Sequence, residues 1–264
     1  MTIIESIILG AVQGLTEFIP VSSSGHLVIA QNWLGLEASH TFEVMINLGT
    51  FLALVIYFRK RIWDILVRIF KEHDLRLTRN IIISAIPVLA LGYFLDDILG
   101  QPFFQNPLVV AFMLVAVGIV MIVIDKLPRA SDIKKSEDLT PKRAGFIGVA
   151  QTLALIPGTS RSGATMIAGR LAGMTFKEAA EYSFLLSIPV MAAVVLKGFI
   201  SNDGQAFIRD HFTAWAVSNV AALIFGLVAV GFMLRFLGNG NFKVFGWYRI
   251  GLAAVVVVSV IFAR

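Results

Sequence analysis

Nine consecutive residues, Pro157, Gly158, Thr159, Ser160, Arg161, Ser162, Gly163, Ala164 and Thr165, place one cation, four hydroxyls and two glycines between the apolar segments 146–156 and 166–171. An arginine inside a bilayer costs ~3 kcal/mol even on insertion scales, so Arg161 needs a reason to be there. The stretch suits an oxyanion. A guanidinium fork matches phosphate bidentately, and backbone N–H groups at a helix start add partial positive charge. The plainer alternative is a loop whose arginine snorkels to the headgroups.

A second stretch, Pro20, Val21, Ser22, Ser23, Ser24, Gly25 and His26, has the complementary chemistry. Gln13 and Glu17 precede it, four residues apart and therefore on one helix face. A carboxylate beside a carboxamide oxygen suits a hard divalent cation such as Mg²⁺, which keeps several waters and bridges to phosphate. His26 opens the following helix as a general base or as a nucleophile toward phosphorus. Ser23 is either a nucleophile activated by His26 or a hydrogen-bond donor to phosphate. The plainer alternatives are a protonated or capping Glu17 and a His26 that bonds a backbone carbonyl.

The elements that must position these groups are membrane helices. Of 264 residues, 57% are hydrophobic and 15% charged, whereas a soluble domain is about a quarter charged. Long continuous apolar runs read as an all-α polytopic membrane protein rather than a barrel. The absence of cysteine removes disulfides, thiolate catalysis and Cys-ligated metals. The net charge of +5 does not point to nucleic acid, because the basic residues gather in two inter-helix segments, 59–79 and 126–143, as topology signals. Residues 1–14 carry Glu5 and no basic n-region, so no cleavable signal peptide is expected.

Residues 2–36 and 146–171 each form two short apolar pieces around a Pro/Gly/Ser break, and each reads as a re-entrant hairpin. Spans are expected at 42–58, 80–95, 108–124, 179–196, 214–234 and 244–262. Segment 59–79 reads as interfacial and cytoplasmic, 96–106 and 201–211 as outside loops, and 235–243 as an inside loop. The aromatic residues Trp33, Trp63, Trp215, Trp247 and Tyr248 sit near segment ends, as an interface belt would place them.

The halves align. At an offset of 138, Gly10, Gln13, Leu15, Ser22, Ser24, Gly25, Ile29 and Ala30 match Gly148, Gln151, Leu153, Ser160, Ser162, Gly163, Ile167 and Ala168. Each half, 1–125 and 144–264, then holds one hairpin and three spans, with 126–143 as a cytoplasmic linker. Three is odd, so the second half is inverted, and inverted repeats with broken helices bring their polar tips together near the midplane. In the alignment Glu17 faces Leu155, Ser23 faces Arg161 and His26 faces Ala164, which divides the roles of one shared site. Glu43 with Asn47, and Lys177 with Glu181, are candidates to support it from the first span of each half.

The run Gln13-Gly14-Leu15-Thr16-Glu17-Phe18, followed by Pro20 to His26, resembles the first signature of the bacitracin-resistance family of undecaprenyl-diphosphate phosphatases, and residues 157–165 resemble its second. The likeness extends over the whole chain, including Tyr248-Arg249 before the last segment. It implies an integral enzyme of the bacterial inner membrane. That enzyme hydrolyses undecaprenyl diphosphate to undecaprenyl phosphate and phosphate, recycles the lipid carrier of cell-wall synthesis and gives bacitracin resistance, with its site toward the periplasm. It implies a divalent cation, Mg²⁺ first and Ca²⁺ second, at Gln13 and Glu17. Some relatives have Glu where this chain has Gln13, so one negative charge is lost here. Carried over by position, Glu17, Ser23, His26 and Arg161 are the catalytic candidates, and Gln13, Ser22, Ser160, Ser162 and Thr165 the substrate-binding ones.

The partners expected are a polyprenyl diphosphate and the bilayer, with no nucleic acid and the oligomeric state left open. A transporter of undecaprenyl phosphate using the same pocket is the alternative, since inverted repeats with broken helices also serve alternating access. A non-catalytic scaffold would leave the intramembrane polar cluster unexplained.

Overall fold

The computed structural model describes residues 1–37, 39–95, 106–126, 132–238 and 240–262. Helix α1 (Ile3–Phe18) starts from a reciprocal cap between Thr2 and Glu5 and stops before Pro20. After a four-residue break, α2 runs over Ser23–Trp33. At 16 and 11 residues, about 24 and 17 Å, neither reaches across a hydrocarbon core of about 30 Å. Helices α3 (His40–Met45) and α4 (Asn47–Tyr57) together form the first long apolar element, and α5 (Arg59–Lys71) follows with no buried residue. Helices α6 (Arg76–Phe94) and α7 (Pro107–Ile124) complete the first half.

The second half opens with α8 (Pro141–Gln151), whose last turn tightens into a 3₁₀ segment, Thr152–Leu155. Then come α9 (Arg161–Leu171), α10 (Phe176–Ile200), α11 (Asn202–Leu237) and α12 (Lys243–Phe262). Among the described residues, six elements are long and apolar enough to cross a membrane: His40–Tyr57, Arg76–Phe94, Pro107–Ile124, Phe176–Ile200, Asn202–Leu237 and Lys243–Ile261. The chain is a multi-pass helical membrane protein.

Some boundaries differ from the sequence reading. The segment 201–211, expected as a loop, is helical: Ser201 caps it through Gly204, and it merges into α11 across a non-helical His211. The helix expected from residue 80 begins a turn earlier, at Arg76. The second hairpin begins at Pro141, where Thr140 supplies the cap, rather than at residue 146. Of the expected outside loop 96–106, residues 96–105 lie outside the described residues, as do 127–131 of the basic linker.

Packing exchanges elements between the halves. Helix α1 lies on α11, α8 lies on α6, and α7 pairs with α12. Small residues permit this approach, as expected where lipid gives no hydrophobic drive between helices. A Cβ on Gly10 would collide with the Ser218 carbonyl of α11, and one on Gly148 would stand 2.8 Å from the Ser84 carbonyl of α6. These contacts fix where the two hairpins end, and so where their tips meet.

Candidate active site

The two tips are built alike. Ser22 and Ser160 both hold positive φ, 75° and 70°. Each caps the helix that follows, with Ser22 Oγ accepting from Gly25 N at 3.4 Å and Ser160 Oγ from Gly163 N at 3.2 Å. Each also meets a second hydroxyl, Ser24 at 3.2 Å and Ser162 at 3.1 Å. Both caps turn the chain sharply enough for the next residue, Ser23 or Arg161, to head its helix.

Glu17 joins the tips. Its Oε1 accepts from Arg161 Nη2 at 2.6 Å, and its Oε2 accepts from Ser23 Oγ at 2.7 Å and from Gln13 Nε2 at 3.2 Å. Ser162 Oγ donates to the Glu17 backbone carbonyl at 3.3 Å. The ion pair is largely desolvated, with side-chain exposures of 14% for Arg161 and 11% for Glu17. A pair this buried is stable only when its remaining donors and acceptors are met. Among the described residues, Arg161 Nε and the hydroxyl of buried Thr159 have no hydrogen-bond partner, so the second tip keeps two unused polar groups.

His26 lies on α2, three residues after Ser23. Its Nδ1 lies 2.7 Å from the Ser22 carbonyl, and a carbonyl only accepts, so Nδ1 carries a proton. In the neutral ring Nε2 is therefore the basic nitrogen. It lies 2.7 Å from the Tyr248 hydroxyl, which donates to it, and the two rings are parallel. The backbone-carbonyl bond first considered as an alternative to a chemical role is thus present, and it fixes the tautomer that such a role requires. The Ser23 hydroxyl, read either as activated by His26 or as a donor to phosphate, donates to Glu17.

Of the expected site residues, Gln13, Glu17, Ser22, Ser23, His26, Ser160, Arg161 and Ser162 come together at the two tips. Thr165 does not join them: its hydroxyl is buried between α9 and α10, 2.9 Å from the Arg161 carbonyl and 2.6 Å from the Ser183 hydroxyl. Asn47 supports Gln13 through Oδ1 at 3.2 Å, and Glu43 holds Asn47 through its backbone carbonyl at 2.6 Å. Glu181 lies apart, paired with Arg61 of α5 at 3.2 Å.

Three participants were given no role at the site from sequence, although Tyr248-Arg249 was part of the family likeness. Tyr248 was read as an interface aromatic, and Thr159 only as part of its stretch. Arg249, fully buried, bonds carbonyls of both tips. The argument that a membrane arginine needs a reason, applied to Arg161, applies equally to Arg249.

A cation fits this donor set only in part. Among the described residues, no three His, Cys, Asp or Glu side chains converge on one point. Gln13 turns its amide nitrogen toward Glu17 Oε2 and Asn47 Oδ1, so both oxygens already converge on one polar atom. With that amide turned over, Gln13 would add a third oxygen. One carboxylate with neutral oxygens fits a hard cation that takes its remaining ligands from water and phosphate, and does not make an all-protein cage.

Fold and site together define a membrane protein with a polar, ion-paired centre held between two broken-helix tips. Residues 6–255 match the family described as bacitracin resistance protein BacA, and the chain belongs to that family. It is 38% identical over 260 residues to undecaprenyl-diphosphatase 1 of Stutzerimonas stutzeri, a match covering 97% of this chain and 93% of that one. It is 37% identical over 262 residues to the undecaprenyl-diphosphatase of Pseudomonas aeruginosa (98% and 94%) and 36% identical over 260 to that of Nitrosospira multiformis (97% and 94%).

Proposed function

We propose that the protein hydrolyses undecaprenyl diphosphate to undecaprenyl phosphate and phosphate, in the bacterial inner membrane, at a site opening toward the periplasm. The observation that carries the reading is the Glu17 carboxylate, which binds Ser23 of one tip and Arg161 of the other at 2.7 and 2.6 Å. The full-length likeness to enzymes named undecaprenyl-diphosphatase supports the substrate and favours hydrolysis over transport. The reciprocal packing of α1 on α11 and of α8 on α6 supports two halves of inverted topology. The basic residues of α5 support a cytoplasmic face on the side away from the periplasm.

In this reading the diphosphate lies where the tips meet, and the prenyl chain leaves between helices among lipid. Arg161 and the Thr159 hydroxyl hold the terminal phosphate, with Ser22, Ser160 and Ser162 shaping the backbone around it. Phosphoryl transfer needs positioning and charge stabilisation more than covalent chemistry from the protein. Ser23 Oγ attacks the terminal phosphorus while Glu17 Oε2 takes its proton. The bond from that phosphorus to the bridging oxygen breaks, and the lipid monophosphate leaves. Water then attacks the phosphorus held on Ser23 and gives a proton to His26 Nε2. The bond from phosphorus to Ser23 Oγ breaks, Oγ takes its proton back from Glu17 Oε2, and phosphate departs. Gln13, Glu17 and Asn47 would hold a divalent cation, Mg²⁺ or Ca²⁺, and its chemistry there is neutralisation of phosphate charge.

The test is phosphate release from a prenyl diphosphate by the purified protein, with and without chelator. Release that chelator stops and Mg²⁺ restores is the expected result. No release, together with movement of lipid phosphate across vesicles, would replace this reading with the transporter.

A further inference from the structure

Arg249 lies in α12 with no exposed surface. Among the described residues its guanidinium meets only backbone carbonyls: Nη2 is 2.6 Å from Gly158 O and 3.1 Å from Thr159 O, and Nη1 is 3.2 Å from Pro20 O. Longer contacts of 3.4 Å reach Met113 and Leu114 of α7. No carboxylate among the described residues pairs with it.

Two physical consequences follow. Pro20, Gly158 and Thr159 are the points where each hairpin's helix is interrupted, and backbone there cannot rely on lipid for hydrogen bonds. A planar fork with five donors reaches carbonyls on both tips at once, whereas an ammonium is a point charge without that span. The charge matters as well. Arg161 and Glu17 neutralise one another, so Arg249 leaves the junction of the tips with one uncompensated positive charge. Burying such a charge alone is unfavourable, and an anion arriving at the tips relieves the imbalance.

We infer that Arg249 is a positioning residue: it clamps the two broken-helix tips in register and gives their junction its net positive charge without touching the substrate. The inference rests on the reading of the tips as a diphosphate site. It separates fork from charge. Arg249→Lys keeps the charge and loses the fork, and Arg249→Met loses both.

The chain has no cysteine, so Trp33→Cys with Leu171→Cys, both exposed and each ending the second helix of one hairpin, accept spin labels without background. The label-to-label distance distribution and the steady-state phosphate release are measured in the same detergent-purified protein. In Arg249→Lys the distribution broadens and kcat falls about a hundredfold, the scale of a misplacement of about 1 Å, while KM stays within a few-fold. In Arg249→Met, KM rises as well, by tenfold or more. If Arg249→Met does not fold, Arg249→Lys alone decides. An unchanged distribution in Arg249→Lys, or a kcat within twofold of the parent, overturns the clamp. A labelled parent that releases no phosphate overturns the proposed function instead, and the distance distributions still decide the clamp.

Discussion

The two tips, residues 20–26 and 157–165, share a backbone and differ in side chains. Ser22 and Ser160 hold nearly the same angles, φ 75° and ψ 98° against φ 70° and ψ 114°, and each caps a helix of 11 residues. One residue on, the likeness ends: Ser23 is a neutral hydroxyl and Arg161 a cation. Three further on, His26 bonds Tyr248 where Ala164 has nothing to offer. The helices leading in differ likewise. Gln13 contacts Glu17 and Asn47, while the matching Gln151 is fully buried and donates to the Ser84 carbonyl at 3.2 Å. The backbone break is therefore common architecture, and the side chains are divided: a carboxylate, an imidazole and a hydroxyl come from the first hairpin, a guanidinium from the second. Glu17 is where the two roles touch.

The severest way to break this division is to remove one member from each tip. His26→Ala takes away the basic nitrogen and Arg161→Ala the cation. Each should abolish measurable phosphate release, a loss of at least about a hundredfold, while the protein remains monodisperse in detergent. Full activity in either variant would mean that its tip is structural. Arg161→Ala also leaves Glu17 without its partner in a mostly desolvated place, at a stability cost of about 3 kcal/mol. His26→Ala carries no such charge penalty, so the thermal midpoint should fall further for Arg161→Ala.

Next in size is the support of His26. Tyr248→Phe removes the hydroxyl that donates to Nε2 and keeps the stacked ring. A neutral hydrogen bond contributes about 1 kcal/mol, so phosphate release should fall about fivefold to tenfold. A loss as large as that of His26→Ala would instead place Tyr248 itself in the chemistry.

Much of this arrangement is legible in the residue order. Spans follow from apolar runs, and the helix breaks from Pro20 and Pro157, whereas the repeat alignment sets Glu17 against Leu155 and does not foretell its ion pair with Arg161. What the sequence does not show is rotation about helix axes and the partners that packing supplies. Thr165 stands in the second motif, yet on α9 its hydroxyl bonds back to the Arg161 carbonyl four residues earlier and meets Ser183 of α10. Tyr248 is 222 positions from His26, and only the packing of α12 makes them neighbours. Segment 201–211 reads as a loop because it is polar, but the Ser201 cap starts a helix there and polarity alone does not end one.

Thr159 offers a smaller and sharper comparison, because stability and activity should move in opposite directions. Among the described residues its hydroxyl is buried with no hydrogen-bond partner. Thr159→Val removes a polar group that has no hydrogen bond in the free protein, so the fold should gain about 1 kcal/mol. If the hydroxyl serves the terminal phosphate, KM for the prenyl diphosphate should rise a few-fold at the same time. A stabilised variant with unchanged KM would leave Arg161 as the only phosphate ligand on this tip.

The smallest effects test the shared half of the comparison. Ser22→Ala and Ser160→Ala each delete a helix cap and keep a Cβ at the same positive φ, so backbone strain is unchanged and the cap is isolated. A lost serine cap costs about 1 kcal/mol. Because the two caps match in angles, in acceptor position and in the neighbouring hydroxyl, the two losses should agree within about 0.5 kcal/mol in thermal unfolding. Two nearly equal losses would mean that the tips are one piece of architecture used twice. A clearly larger loss at Ser160 would mean that the Arg161–Glu17 pair depends on its cap in a way Ser23 does not, and the division of roles would then reach down into the backbone itself.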